Sequence, residues 1–171
     1  DRLKGHGDVI IVNGPPVTAL MDRVTGCSDV FAKATGIHVL SSSEDAHGSR
    51  EGGLAVGQGL FVRFPKIDAI FSVNDPTGVG VELAAKQAGR REFFMTSVDG
   101  SPEVEQSLRR GGGLIAATAS QDPFEIAATA TRLGIDVRTG RIKPGTVQLL
   151  DPQLITEKNV ATYKGWNTSR T

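Results

Sequence analysis

A single cysteine, Cys27, leaves the chain unable to form an internal disulfide, so its core must hold without one; the redox compartment stays open. Long hydrophobic runs are missing as well: none approaches the ~20 residues of a membrane-spanning helix. No sign of charge dominates, because Lys+Arg and Asp+Glu both number 19. That balance argues against nucleic acid as the main partner, since phosphate binding needs a basic surplus. His6, His38 and His47 are scattered, with neither an i, i+4 pair nor a cysteine partner, which is poor spacing for a metal site. No G-x-x-x-x-G-K-[ST] occurs, and Gly78-Val79-Gly80 lacks the third glycine of a dinucleotide fingerprint. Ser41, Ser42, Ser43 and His47 share a stretch, but no G-x-S-x-G elbow accompanies them. Cys27 falls on the apolar face of a helix, a packing position rather than that of a nucleophile. Nucleotide binding, metal chemistry and nucleophilic hydrolysis all lose support from these absences.

What is present is a chain of 171 residues, 39% hydrophobic and 22% charged, enough for a globular domain with a real core. Its most informative pattern is repeated three times. IDAIFSV runs into Asn74-Asp75-Pro76, REFFMTSV into Asp99-Gly100-Ser101-Pro102, and LIAATAS into Gln121-Asp122-Pro123. Each apolar run ends in a planar polar side chain, then a capping residue, then proline. Asp75, Ser101 and Asp122 read as helix N-caps, with Pro76, Pro102 and Pro123 at the first helical position. In a strand-helix-strand fold this places Asn74, Asp99 and Gln121 on one edge of one sheet, at the carboxyl ends of its strands, where open parallel sheets bind ligands. Arg23, two turns into the first helix, starts from the same edge and has the planar fork to bridge two neighbouring oxygens. Taken singly, each of these residues also has a plain reading as turn chemistry or a solvated charge; the recurrence at one edge is what favours a site.

The coarse order of elements is predicted as follows. Asp8–Asn13 is a strand, and Val17–Thr35 a helix stopped by Gly36. Ile37–Leu40 is a second strand, and Ser41–Gly48 a polar loop. Ser49–Phe64 is a helix despite Gly52, Gly53, Gly57 and Gly59, each of which costs about 1 kcal/mol against alanine. Strands at Ile67–Val73, Glu92–Val98 and Leu114–Ser120 alternate with helices at Pro76–Ala88, Pro102–Arg110 and Pro123–Val137. Thr146–Leu150 is a sixth strand, with a short extended piece near Leu154-Ile155-Thr156. This alternation argues for an α/β fold, an open parallel sheet flanked by helices on both faces. Asp1–Gly5 reads as the frayed end of a helix, so the chain is expected to be a fragment or a mature protein that has lost residues.

These residues resemble a known family: the sugar-binding proteins of bacterial ABC transporters, the ribose-binding type (type 1) of periplasmic binding protein. The resemblance is carried in order by VIIVNGPP, Arg23-x-x-Gly26, FPKIDAIFSVND, GVELAAKQAG, SVDGSPE, GGGLIAATASQDP and LLDPQLITEKNV. It covers nearly all of the chain but only the C-terminal part of such a protein. It implies a two-lobed clamshell closing on a sugar, with ligand hydroxyls met from this lobe by Arg23, Asn74, Asp99 and Gln121. Adjacent hydroxyls both donate and accept, so carboxylate, amide and guanidinium groups can bridge them. The family often stacks an aromatic on the sugar from the loop before the second helix; Gly48 stands there, beside His47. Either His47 takes the role, or the ligand lacks a stacking face, as a linear polyol would.

The resemblance further implies that residues 1–121 form the C-terminal lobe, that 122–150 belong to an N-terminal lobe otherwise missing, and that 151–171 cross back. Ile126, Ala130, Leu133 and Val137 would then be an apolar stripe made for the missing lobe. The implied function is solute binding for an ABC importer. No catalytic residue, metal or cofactor is implied. Partners are a sugar or polyol, the membrane permease and the missing lobe, with a periplasmic or membrane-anchored extracellular location. The alternative is the effector domain of a LacI-type transcription regulator, with an enzyme third.

Overall fold

The structure is a computed structural model and describes residues 2–169. Its elements are β1 (His6–Asn13), α1 (Thr18–Ala32), β2 (Gly36–Asp45), α2 (Arg50–Arg63), β3 (Ala69–Ser72), α3 (Asp75–Gln87), β4 (Phe94–Asp99), α4 (Pro102–Arg110), β5 (Ile115–Ser120), α5 (Pro123–Arg138) and β6 (Gln153–Thr156). A 3₁₀ turn follows at Val160–Thr162. The strands form one sheet in the order β2-β1-β3-β4-β5-β6. β1 to β5 are parallel, whereas β6 pairs antiparallel with β5.

Period-2 alternation along the strands sorts the two faces. Ile10, Val12, Ile70, Met95 and Ile115 join Leu60, Val81, Ala85, Val104 and Leu108 in the core, so α2, α3 and α4 cover one face. On the other face Phe71, Thr96 and Val98 are only half-buried, and they floor a groove between α1 and α5. On the covered face, glycines let α2 and α3 approach closely. A Cβ on Gly53 would sit 2.2 Å from the Thr77 carbonyl oxygen, and one on Gly80 would sit 2.1 Å from that of Arg50. The helix accepts a propensity cost so that two backbones can touch.

Several expectations are corrected. Gly36 does not stop α1: the helix ends at Ala32, with Lys33 in right-handed conformation as its cap. Gly36 instead opens β2 and lies so close to its neighbour strand that a Cβ would meet the Gly5 carbonyl at 2.5 Å. The polar stretch Ser41–Asp45 is not loop but the continuation of β2, paired as far as Asn13↔Asp45. β2 is an edge strand, so its backbone can join the ladder while its side chains meet water. Thr146–Leu150 forms no strand. It has no ladder partner, and Val147 and Leu149 are 78% and 86% exposed. The sixth strand is Gln153–Thr156 instead. Of the expected helix end at Asp1–Gly5, Asp1 lies outside the described residues; Arg2–Gly5 form a turn, with Lys4 and Gly5 at positive φ. Arg170 and Thr171 of the tail are likewise outside.

Candidate functional site

Because β3, β4 and β5 are parallel neighbours, the residues that follow their carboxyl ends emerge on the same edge. Asp99 is the last residue of β4 and is 7% exposed. Its Oδ1 is 3.1 Å from Arg23 Nη1 and accepts a hydrogen bond from Gln121 Nε2 at 2.6 Å. Arg23 Nη1 also donates to the Val73 carbonyl at 3.0 Å. The guanidinium is thereby tied to the end of the β3 run as well as to β4. Arg23, Asp99 and Gln121 thus meet, a cation, an anion and an amide that can each address a hydroxyl.

Asn74 stands at the same edge but is occupied. Its Oδ1 accepts from the Thr77 backbone N–H at 3.0 Å, and its Nδ2 donates to the Gly48 carbonyl at 2.8 Å. Asn74, not Asp75, is therefore the N-cap of α3; the assignment of that cap to Asp75 is corrected. The reason is orientation: Asp75 turns inward, where a stronger set of donors waits. Ser101 and Asp122 do cap α4 and α5, through Val104 N–H and Glu125 N–H. His47 lies in the turn after β2 with φ 54°, exposed, its ring 3.5 Å from Asp45 and its N–H donating to the same carboxylate. Its neighbour Gly48 is the residue Asn74 holds, which links this turn to the site edge.

Asp75 is the residue the sequence pattern undervalued. It is 0% exposed. Its Oδ1 accepts from the hydroxyls of Ser97 and, at 2.8 Å, Thr118, while its Oδ2 accepts from the Ser101 N–H at 2.7 Å. Its own N–H donates to Asp99 Oδ2 at 3.3 Å. Ser97 and Thr118 are register partners across β4 and β5, so both point to the same side of the sheet and converge on one carboxylate. Polar residues at inward positions of otherwise apolar strands were the available signal. Burial pushes the Asp75 carboxyl above its ordinary range, and the bonds from Ser97, Ser101 and Thr118 pull the other way.

The turn beyond β4 is strained and heavily braced. Asp99 has φ 141°, unusual for a residue with a Cβ, and such backbone costs about 1–3 kcal/mol. Gly100 follows at φ 68°; its N–H donates to Thr118 Oγ1 at 3.0 Å and its carbonyl accepts from the Tyr163 hydroxyl at 3.0 Å. Trp166 Nε1 donates to the Gln121 carbonyl at 3.2 Å. The tail therefore braces both site loops.

A cavity of about 1080 Å³ lies elsewhere, between α1 and α5. Arg23 and Gln121 border it, but Asp99 and Asn74 do not, and Phe31, Phe71, Val98 and Ile126 make its walls largely apolar. Cys27 also borders it, and burial pushes the thiol up to about 12.

A family described as "periplasmic binding protein domain" matches residues 1–142. The D-allose-binding periplasmic protein of Escherichia coli (strain K12) is 30% identical over 165 residues, 92% of this chain and 52% of that protein. The xylitol-binding protein of Mycolicibacterium smegmatis is 30% identical over 148 residues, 81% of this chain and 41% of that protein. Among solved structures, an ABC transporter periplasmic solute binding protein from Actinobacillus succinogenes, with bound D-allose, superimposes with a TM-score of 0.85 at 24% identity. That match covers 94% of this chain and 56% of that one. The chain spans about half the length of the relatives it matches.

Proposed function

The chain belongs to the periplasmic binding protein domain family, and from that membership we propose that it binds a sugar or polyol for an ABC importer, as part of a two-lobed receptor outside the cytoplasmic membrane. The single observation that carries this reading is the joining of Arg23, Asp99 and Gln121 at the carboxyl edge of the sheet. In this reading the three side chains exchange some of their mutual bonds for ligand hydroxyls. Asn74 contributes its second N–H, its remaining capacity being used in the α3 cap and at Gly48. His47 would approach from the adjoining turn. The site binds rather than transforms its ligand: it offers hydrogen bonds and one ion pair, and Cys27 is held as a thiol. The relatives named above are binding proteins rather than regulators, which favours import over an effector domain that controls transcription.

We further infer that residues 122–150 belong with a second lobe and that the tail from Asp151 returns from it. The support is that α5 buries only Thr129, leaving Ile126 and Ile135 exposed.

Titration calorimetry of the intact protein against D-allose, xylitol and a panel of related sugars and polyols tests the reading. One of them is expected to bind, and Asp99→Ala is expected to weaken it by roughly 10- to 100-fold, the worth of a charged hydrogen bond to a buried hydroxyl. Mass spectrometry is expected to return the ligand unaltered. An unresponsive panel, or an unchanged affinity in Asp99→Ala, would overturn it.

A further inference from the structure

We propose that Asp75, which faces away from the site opening, is a positioning residue: its buried carboxylate pins the Asp99–Ser101 turn and so sets where the Asp99 side chain stands. This rests on the binding role proposed above. Four bonds carry it. Three donors converge on the carboxylate, from Ser97 on β4, from Thr118 on β5 and from the Ser101 backbone at the start of α4. The fourth runs from the Asp75 N–H to Asp99 Oδ2, on the same carboxyl group that meets Arg23 and Gln121 through Oδ1. Asp75 is thus bonded to both ends of the turn, Asp99 and Ser101. Between them Gly100 is held through Thr118, itself a donor to Asp75.

The turn needs holding because Asp99 occupies positive φ. A residue with a Cβ leaves that region unless surrounding bonds over-determine it. Without the acceptor at Ser101 N–H, the turn relaxes toward negative φ and swings the Asp99 carboxylate off Arg23 and Gln121. The buried carboxyl group also cannot be traded for shape alone. Leucine keeps the same branched shape but leaves the Ser101 N–H without its acceptor. Asparagine retains one acceptor oxygen, which can face Ser101 while its amide group donates to the hydroxyls of Ser97 and Thr118.

The experiment compares Asp75→Leu, Asp75→Asn and Thr118→Val in the intact protein, with D-allose as the probe. Asp75→Leu is expected to weaken D-allose binding about tenfold or more, and to do almost nothing further in an Asp99→Ala background, because both changes remove the same interaction. Amide hydrogen exchange is measured without ligand. Gly100 and Ser101 are expected to lose about tenfold or more of their protection in Asp75→Leu, while the β1 and β3 amides keep theirs. Asp75→Asn is expected to restore both readouts. If Asp75→Leu does not fold, Thr118→Val, which removes the acceptor for Gly100 N–H, takes its place in both measurements. Unchanged exchange at Gly100 and Ser101, or an equal loss of affinity with and without Asp99, would overturn the proposal. Absence of any D-allose response in the unmodified protein would count against the ligand reading alone, and the exchange measurement would still decide the part played by Asp75.

Discussion

A carboxylate sealed from water is held in its charged form only while its donors last. The Asp75 carboxyl is raised above its ordinary range, chiefly by burial. The folded state therefore binds its proton more readily than the unfolded chain does. The sign follows: Asp75 contributes most to stability below the ordinary carboxylate value, and the contribution is lost as pH rises through the raised value. Unfolding midpoints of the unmodified protein and of Asp75→Asn, followed from about pH 4 to about pH 7, are expected to diverge in that direction. The unmodified protein gains on the variant toward acid. The Asp99–Arg23 ion pair, which Asp75 touches through its N–H to Asp99, is present in both proteins. At Cys27 the thiol stays protonated because burial lifts it to about 12. Iodoacetamide at neutral pH is expected to modify it slowly in the folded chain and readily in urea, which mass spectrometry would follow.

At the level of elements, α2 separates two kinds of glycine. Gly53→Ala would drive a methyl group into the Thr77 carbonyl at 2.2 Å, whereas Gly59 faces open space. Denaturant titration is expected to show Gly53→Ala destabilised by roughly 1–3 kcal/mol. Gly59→Ala is expected to be stabilised by about 0.5–1 kcal/mol. Sequence alone presents both as the same helix-weakening residue, since the difference lies in what the partner helix brings near. The same limit explains the other misreadings. The apolar alternation of Thr146–Leu150 satisfies a strand pattern, but a strand also needs a ladder, and periodicity carries no information about partners. Ser41–Asp45 failed in the opposite sense, because polar composition hides an edge strand. The features that were legible are those set locally. Pro102 and Pro123 after Ser101 and Asp122 announce helix starts, and β3, β4 and β5 announce one shared edge. Asp75 was seen there but misjudged, because whether an N-terminal Asp caps its helix or turns inward depends on Ser97 and Thr118 from two other strands.

For the molecule as a whole, the two sheet faces are unequal. α2, α3 and α4 bury one, while α1 has no buried residue and α5 has one. Stability should be correspondingly uneven. In the chain of 171 residues taken alone, amides of α5 are expected to exchange faster than those of α3, whose Val81, Ala84 and Ala85 are buried. In a protein that also carries the proposed second lobe, α5 is expected to gain protection while α3 changes little. Equal protection of α5 in both, with the shorter chain confirmed as a monomer by analytical ultracentrifugation, would remove residues 122–150 from that lobe.

The braces from Tyr163 and Trp166 have a consequence for the order in which the chain folds. Their partners, Gly100 and Gln121, lie 63 and 45 residues earlier in the chain. Each brace therefore closes a long loop, and that closure costs entropy before the contact repays it. The shorter-range pairing of β1 to β5 can bring Asp99 to Arg23 while Gly100 still lacks its hydroxyl and Gln121 its indole. A chain truncated before Tyr163 would thus keep β1 to β5 with the Asp99–Ser101 turn unlatched.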